Sequence, residues 1–319
     1  MSETSPSTNI SQPPSPFDIG LDRGFRLLTR VIAWFTIALV FLIVFQIART
    51  AEPAIKAYGV DFLTTDKWDP SGKKFGILPQ IGGTLYSSIL GVALGSVFGI
   101  AVAIFITQDF LPPKLEAIIK NVVELLAAIP SVVYGLWGIF VVIPTIRPFC
   151  NWLNEHLDFF PLFGTRLSGP GMLPASLVLA IMVLPTITAI SRDAIVAVPP
   201  KLREASFGLG ATLWETILAV ILPTASRGIF GSIVLAFGRA VGETMALAML
   251  LGNSNTFNWS LFAPGNTLAA LLANQWPESG HVEKGALMYA GLVLLGITLL
   301  INMVGTLILQ RAIKVGDDH

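Results

Sequence analysis

The sequence predicts an all-α integral membrane protein with about six membrane-crossing helices, and three observations carry that prediction. Of 319 residues, 53% are hydrophobic and only 13% are charged, with a mean hydropathy of +0.72, too apolar a balance for a soluble globule to cover itself with polar groups. Six apolar runs are each long enough, at about 1.5 Å per residue, to cross roughly 30 Å of hydrocarbon. A polar segment of helical pattern separates the fourth run from the fifth.

Residues 1–20 hold five Ser, four Pro and two Thr, a composition that buries too little surface to offset its ordering entropy. A disordered cytoplasmic tail is expected over 1–24, followed by a transmembrane domain over 25–319. Arg23, Arg26 and Arg30 precede the first apolar run, 31–48, without a small-residue cleavage site in position, so an uncleaved anchor is expected rather than a secretory signal.

The remaining spans are predicted at 84–107, 121–146, 173–191, 228–251 and 286–310. Six crossings put both termini on one side. With that side cytoplasmic, eleven Lys and Arg lie inside against eight outside, the sense of the positive-inside rule. Gly91, Gly95 and Gly99 recur every fourth residue in the second span, and Gly238 and Gly242 in the fifth. Such stripes let helices approach closely, chiefly for packing. Pro130 and Pro185 fall inside spans and are expected to bend them. Lys120 and Glu124, one turn apart near the inner end of the third span, read more readily as a snorkelling interfacial pair than as a pathway. Trp68, Trp152, Trp259 and Trp276 fall on predicted outer loops, where they suit either a membrane interface or a partner surface.

Several function classes lack their residues. Net charge is +0 with no concentrated basic face, so no nucleic-acid partner is expected. Cys150 is the single cysteine, and His156, His281 and His319 all lie outside the apolar runs. An intramembrane metal site or hydrolase would therefore lack its usual ligands and bases. No metal and no cofactor are expected.

The loop 192–227 contains KLREASFGLGATLWETILAVILPT. Glu204, Ala205 and Ser206 suit a short helix, Gly210 can turn the chain, and 211–222 has an amphipathic pattern that Pro223 is expected to end. Two short helices at a glycine elbow result. In the fifth span Arg239 lies roughly 17 Å into the predicted helix, and a central Arg costs about 2.5–3.5 kcal/mol to insert unless it is paired or hydrated. Glu243 follows at i+4, on the same helical face, with Thr244 beside it. The pair reads either as a static bridge between helices or as a gate for a passing anion.

The loop resembles the Glu-Ala-Ala signature of ABC importer permeases: Glu204-Ala205-Ser206, Gly210 six residues after the glutamate, and Val220-Ile221-Leu222-Pro223 at the required distance. Ser206 and Val220 depart from the usual alanine and isoleucine. The resemblance implies a type I importer-like fold and a cytoplasmic coupling-helix loop that enters a socket on an ATPase, with Glu204, Ala205, Ser206, Gly210, Leu222 and Pro223 carrying the contact. ATP hydrolysis is expected on a partner chain, since Gly72-Lys73-Lys74 lacks the upstream glycine and the hydroxyl residue of a phosphate-binding loop.

GRAVGETMALAMLLGN, NVVELLAAIPSVVYGLWGIF (121–140) and DKWDP (66–70) further resemble phosphate-specific permeases of the PstC type, from about Phe25 onward. What this implies is phosphate import across a bacterial inner membrane, with a second permease subunit, two copies of an ATP-binding subunit and an extracytoplasmic phosphate-binding protein. By the same resemblance Arg239, Glu243 and Thr244 belong to the substrate path. A permease for another oxyanion, such as molybdate or sulfate, and a stand-alone secondary transporter are the alternatives.

Overall fold

The computed structural model describes residues 15–317 other than Asp109. Contacts divide the chain after Arg49, within the first helix, α1 (Pro16–Tyr58). Residues 16–24 of the expected tail are thus helical, while 1–14 lie outside the described residues. Pro16 at the first helical position is preset for a helix, and Asp22 pairs with Arg26 at 2.6 Å across one turn. Up to Arg49, large apolar side chains such as Trp34, Phe35 and Phe41 stand fully outward, as a lipid-facing anchor requires.

From Thr50 onward the chain forms the main body. The end of α1 leads to α2 (Asp61–Thr64) and a small antiparallel ribbon, β1 (Trp68–Asp69) with β2 (Lys74–Phe75), in which Trp68 opposes Phe75. Trp68 is buried against Phe75 and its indole N–H donates to Glu283 Oε1 at 3.3 Å. It is a core residue, in neither of the exposed roles considered for it.

The rest is helical: α3 (Leu78–Phe105), α4 (Pro113–Ala128), α5 (Ser131–Trp137), α6 (Ile143–Leu157), α7 (Met172–Val196), α8 (Pro200–Gly208), α9 (Leu213–Thr216), α10 (Leu222–Val241), α11 (Met245–Leu250), α12 (Leu268–Gln275) and α13 (His281–Asp317). π-turns at Gly138–Val142 and Ile217–Ile221 join α5 to α6 and α9 to α10. Among the described residues six helices are long and apolar enough to cross a membrane: Ile19–Tyr58, Leu78–Phe105, Ser131–Leu157, Met172–Val196, Leu213–Val241 and His281–Gln310.

Two spans differ from expectation. The third does not run through 121–146 with a bend. Ile129 and Pro130 are both extended (ψ 128° and 140°), because a residue before proline is pushed out of the helical region and proline supplies no N–H. Lys120 and Glu124 consequently sit on α4, an amphipathic helix separate from the crossing one. In the fifth span Pro223 does not end a helix. Leu222 N–H reaches back to Ile217 O, five residues away, as Ile143 N–H does to Gly138 O. Each widened turn stands directly before a proline, Pro223 or Pro144, and a wider turn accommodates the ring that would clash with a carbonyl four residues back. Pro185, by contrast, lies within continuous α7.

The core sits where α3 crosses α7. A Cβ at Gly91, Gly95 or Gly99 would lie 2.8, 2.6 or 3.0 Å from Leu179, Val183 or Ile187. The constant offset of 88 residues shows that the two helices run parallel, with the glycine stripe as their seam. Hydrocarbon solvates apolar side chains as well as the core does, so this close van der Waals fit is what distinguishes the packed state.

Candidate functional site

Two groups of residues singled out by the sequence occupy opposite ends of one continuous helix, Leu213–Val241. At its start lies the elbow. Pro199 and Pro200 open α8, which carries Glu204, Ala205 and Ser206. Gly210 then takes φ +88°, a left-handed conformation that a side chain would strain. Leu209 N–H donates to Ala205 O at 3.1 Å and Ala211 N–H to Ser206 O at 3.2 Å, closing α8 onto the turn. Thr212 and Glu215 form a reciprocal capping box that starts α9, with Thr212 N–H donating to Glu215 Oε2 at 2.7 Å.

Ser206 Oγ lies 2.9 Å from Thr216 Oγ1, and Thr216 is fully buried. Trp214 leans on Phe110 (5.4 Å between ring centroids), which stacks on Phe105 at the end of α3. Ile217, Ile221 and Ala225 continue inward against Ala103 and Ile195. The elbow is therefore bolted to α3 and α7. Leu209, in contrast, is 91% exposed at its tip, and Glu204 and Pro223 are exposed while Leu222 is half-buried. A rigid projection with an apolar tip can transmit a rigid-body push from a partner that grips it.

At the other end of the helix, Arg239 occupies the last turn of α10. Regular helix stops at Val241, Gly242 and Thr244 form a break, and α11 begins at Met245. The break arises because Ala246, Leu247 and Leu250 are drawn into the core; a Cβ at Gly138 would lie 2.6 Å from Leu250. Glu243 therefore does not stand one turn above Arg239 on a shared face. Among the described residues no ion pair within 4.0 Å joins them. Glu243 Oε1 instead accepts from Ala246 N–H at 3.3 Å, Thr244 Oγ1 donates to Gly242 O at 3.1 Å, and Arg239 Nη1 reaches Thr186 Oγ1 at a long 3.4 Å.

The consequence is electrostatic. A guanidinium locked to a carboxylate would have to release it before meeting an anion. Here Arg239 is exposed, with a weak hydroxyl contact and most of the five donors of its planar guanidinium available for an oxyanion. Thr186 went unnoticed in the sequence because threonine is unremarkable in a membrane helix. Asn302 was missed too, although it is an amide in the middle of an apolar run. Its Oδ1 would lie 3.0 Å from a Cβ at Gly238, the residue before Arg239.

Comparison with known proteins places this geometry. Residues 95–314, which include the elbow and Arg239, match the binding-protein-dependent transport system inner membrane component family. A phosphate transport system permease protein PstC of Xylella fastidiosa is 37% identical over 300 residues, 92% of each chain. The Haemophilus influenzae protein of the same name is 36% identical over 90% of this chain and 92% of its own. A probable phosphate transport system permease of Methanocaldococcus jannaschii is 35% identical over 90% and 93%. Among solved structures, a bacterial alginate ABC transporter in complex with its alginate-bound periplasmic protein aligns with a TM-score of 0.62 at 19% identity, over 92% of this chain and 96% of that one. The inward-facing MetNI methionine ABC transporter aligns at 0.55 and 19% identity, over 74% and 95%. At such identity these structures establish the fold, that of type I ABC importer permeases.

Proposed function

This chain belongs to the family of binding-protein-dependent transport system inner membrane components, and from that premise we propose that it is one permease half of an importer that passes inorganic phosphate into the cytoplasm. The observation that carries the proposal is the arginine at the end of α10, set beside a helix break with no carboxylate among the described residues paired to it. The guanidinium fork presents parallel N–H donors to two oxygens of a tetrahedral anion. Glu243 and Thr244 line the same break. Hydrogen phosphate keeps a P–O–H group at neutral pH and can donate to a carboxylate. Sulfate and molybdate carry none there and would meet repulsion. This favours phosphate over the other oxyanions, in keeping with the names of the relatives.

Transport is driven from outside the chain. We assign the elbow, with Glu204, Ala205, Ser206, Gly210, Leu222 and Pro223, to the contact with an ATP-binding subunit. Two copies of that subunit serve this chain and a second permease subunit in a heterodimer, and an extracytoplasmic phosphate-binding protein delivers the ion. The excess of basic residues on the elbow's side supports a cytoplasmic position for both termini, in a bacterial inner membrane. The test is uptake of labelled phosphate into vesicles holding the reconstituted complex. Unlabelled phosphate is expected to compete and sulfate and molybdate are not; competition by either at equal concentration would replace phosphate with a broader oxyanion cargo.

A further inference from the structure

The last membrane helix carries Thr298, Asn302, Thr306 and Gln310 at four-residue intervals in an otherwise apolar run. Four residues advance about 6 Å along a helix and turn it by about 40°, so these side chains form one slanting stripe. The threonines satisfy themselves locally, Thr298 donating to Leu294 O and Thr306 to Asn302 O, both at 2.8 Å. Among the described residues, the Asn302 amide has no hydrogen-bond partner.

The level of the stripe is set by helix packing. A Cβ at Gly238 would meet Asn302, one at Gly305 would meet Val234, and Gly231 has Leu309 as its neighbour. Helices α10 and α13 are thus antiparallel, and Asn302 stands beside Gly238 in the last turn of α10, at the level of Arg239. From there the stripe descends along the outer surface of α13, where Asn302, Thr306 and Gln310 alternate with the exposed Leu299, Met303 and Leu307. Hydrocarbon offers an amide no partner, so Asn302 and Gln310 are ill suited to lipid. One helix–helix hydrogen bond would need Asn302 alone. A stripe continuing from the level of Arg239 to the far end of the helix suits something that moves.

We propose that the α13 stripe lines the inward half of the oxyanion path. Arg239 releases the ion to the Asn302 amide N–H donors, and the Thr306 hydroxyl and Gln310 amide hydrate its way to the cytoplasmic end. This rests on Arg239 belonging to the path, so the primary test reads water access without requiring transport. In a Cys150→Ser background, which removes the chain's single, buried cysteine, Thr306→Cys is placed in the assembled complex in inside-out vesicles. A membrane-impermeant charged methanethiosulfonate is expected to label it, more slowly with phosphate present. Labelling only by a lipophilic maleimide would mean a lipid-facing stripe. Labelling by neither reagent would mean a stripe covered by a partner helix. Either result overturns the proposal. Water access with no protection by phosphate but protection by molybdate would retain the path and overturn only the phosphate reading. In a second arm, Asn302→Leu keeps the shape but loses the amide. Uptake is expected to fall roughly ten-fold, the loss of one hydrogen bond to a charged ligand, with partial recovery in Asn302→Ser. Wild-type uptake by Asn302→Leu overturns the assignment, and if that variant fails to assemble the labelling result decides.

Discussion

Ser206 on α8 and Thr216 on α9 hold their hydroxyl oxygens 2.9 Å apart across the elbow. Ser206 stands where the family signature has alanine, a change that by size alone is neutral. In the folded chain it ties the projecting helix to a buried residue of the helix that carries Arg239 in its last turn.

The first prediction follows from that tie. Ser206→Ala restores the usual residue but removes the hydrogen bond, which contributes about 1 kcal/mol, while leaving Thr216 Oγ1 buried. The variant is expected to assemble and to import, with more ATP hydrolysed per phosphate moved because the elbow transmits less of the push. Equal coupling ratios in Ser206→Ala and the parent, measured in reconstituted vesicles, would show that the bond has no part in transmission.

At Gly210 the constraint is backbone conformation. Its φ of +88° costs a residue with a Cβ about 1–3 kcal/mol, and no neighbouring atom stands within 4 Å of the added Cβ. Gly210→Ala should therefore act through strain alone. It is expected to weaken coupling, with Gly210→Asn, which enters the left-handed region more readily, less affected. A packing effect would give the opposite order, since Asn is larger.

Arg239→Gln keeps a hydrogen-bonding side chain but removes the charge. Phosphate uptake is expected to be lost while the complex still purifies intact, and Arg239→Lys should retain part of the activity as a single point charge without the planar fork. Because Glu243 is bonded to the Ala246 N–H and not to Arg239, Glu243→Gln should leave assembly unaffected and shift the preference among oxyanions toward sulfate. If instead Glu243→Gln rescued Arg239→Gln, the two would behave as a neutralising pair, contrary to the separated geometry.

The helix seam gives a stability prediction. A Cβ at Gly95 falls 2.6 Å from Val183 Cγ2 and 3.0 Å from Ala180 O, so Gly95→Val must push α3 off α7. Overpacking of this kind costs about 1–3 kcal/mol. The expected readout is a lower melting temperature of the purified complex. Gly296→Val, with nothing within 4 Å of its Cβ, serves as the control.

Much of this protein was legible along the chain because its signals are local. An apolar run long enough to cross hydrocarbon declares itself residue by residue, and so six helices of that length stand among the described residues, the third and fifth displaced from the predicted 121–146 and 228–251. The elbow was legible for the same reason: a turn glycine and the Ser/Thr/Glu chemistry of helix starts lie within a dozen residues. Other features depend on what lies opposite. Pro130 was read as a bend but separates two helices, and Pro223 was read as an end but follows a π-turn inside a longer helix. The helical spacing of Arg239 and Glu243 implied a pair, yet α11 is pulled into the core by Ala246, Leu247 and Leu250, the helix stops between them, and the arginine is left open. Asn302 acquires its meaning only from Gly238, 64 positions away. By itself the sequence determined that the chain has six helices able to cross a membrane and a glycine elbow before the fifth, because solvation and turn chemistry are properties of short segments. Only the tertiary structure decided which polar groups meet at membrane depth, because helix ends and registers are set by side chains fitting against distant partners.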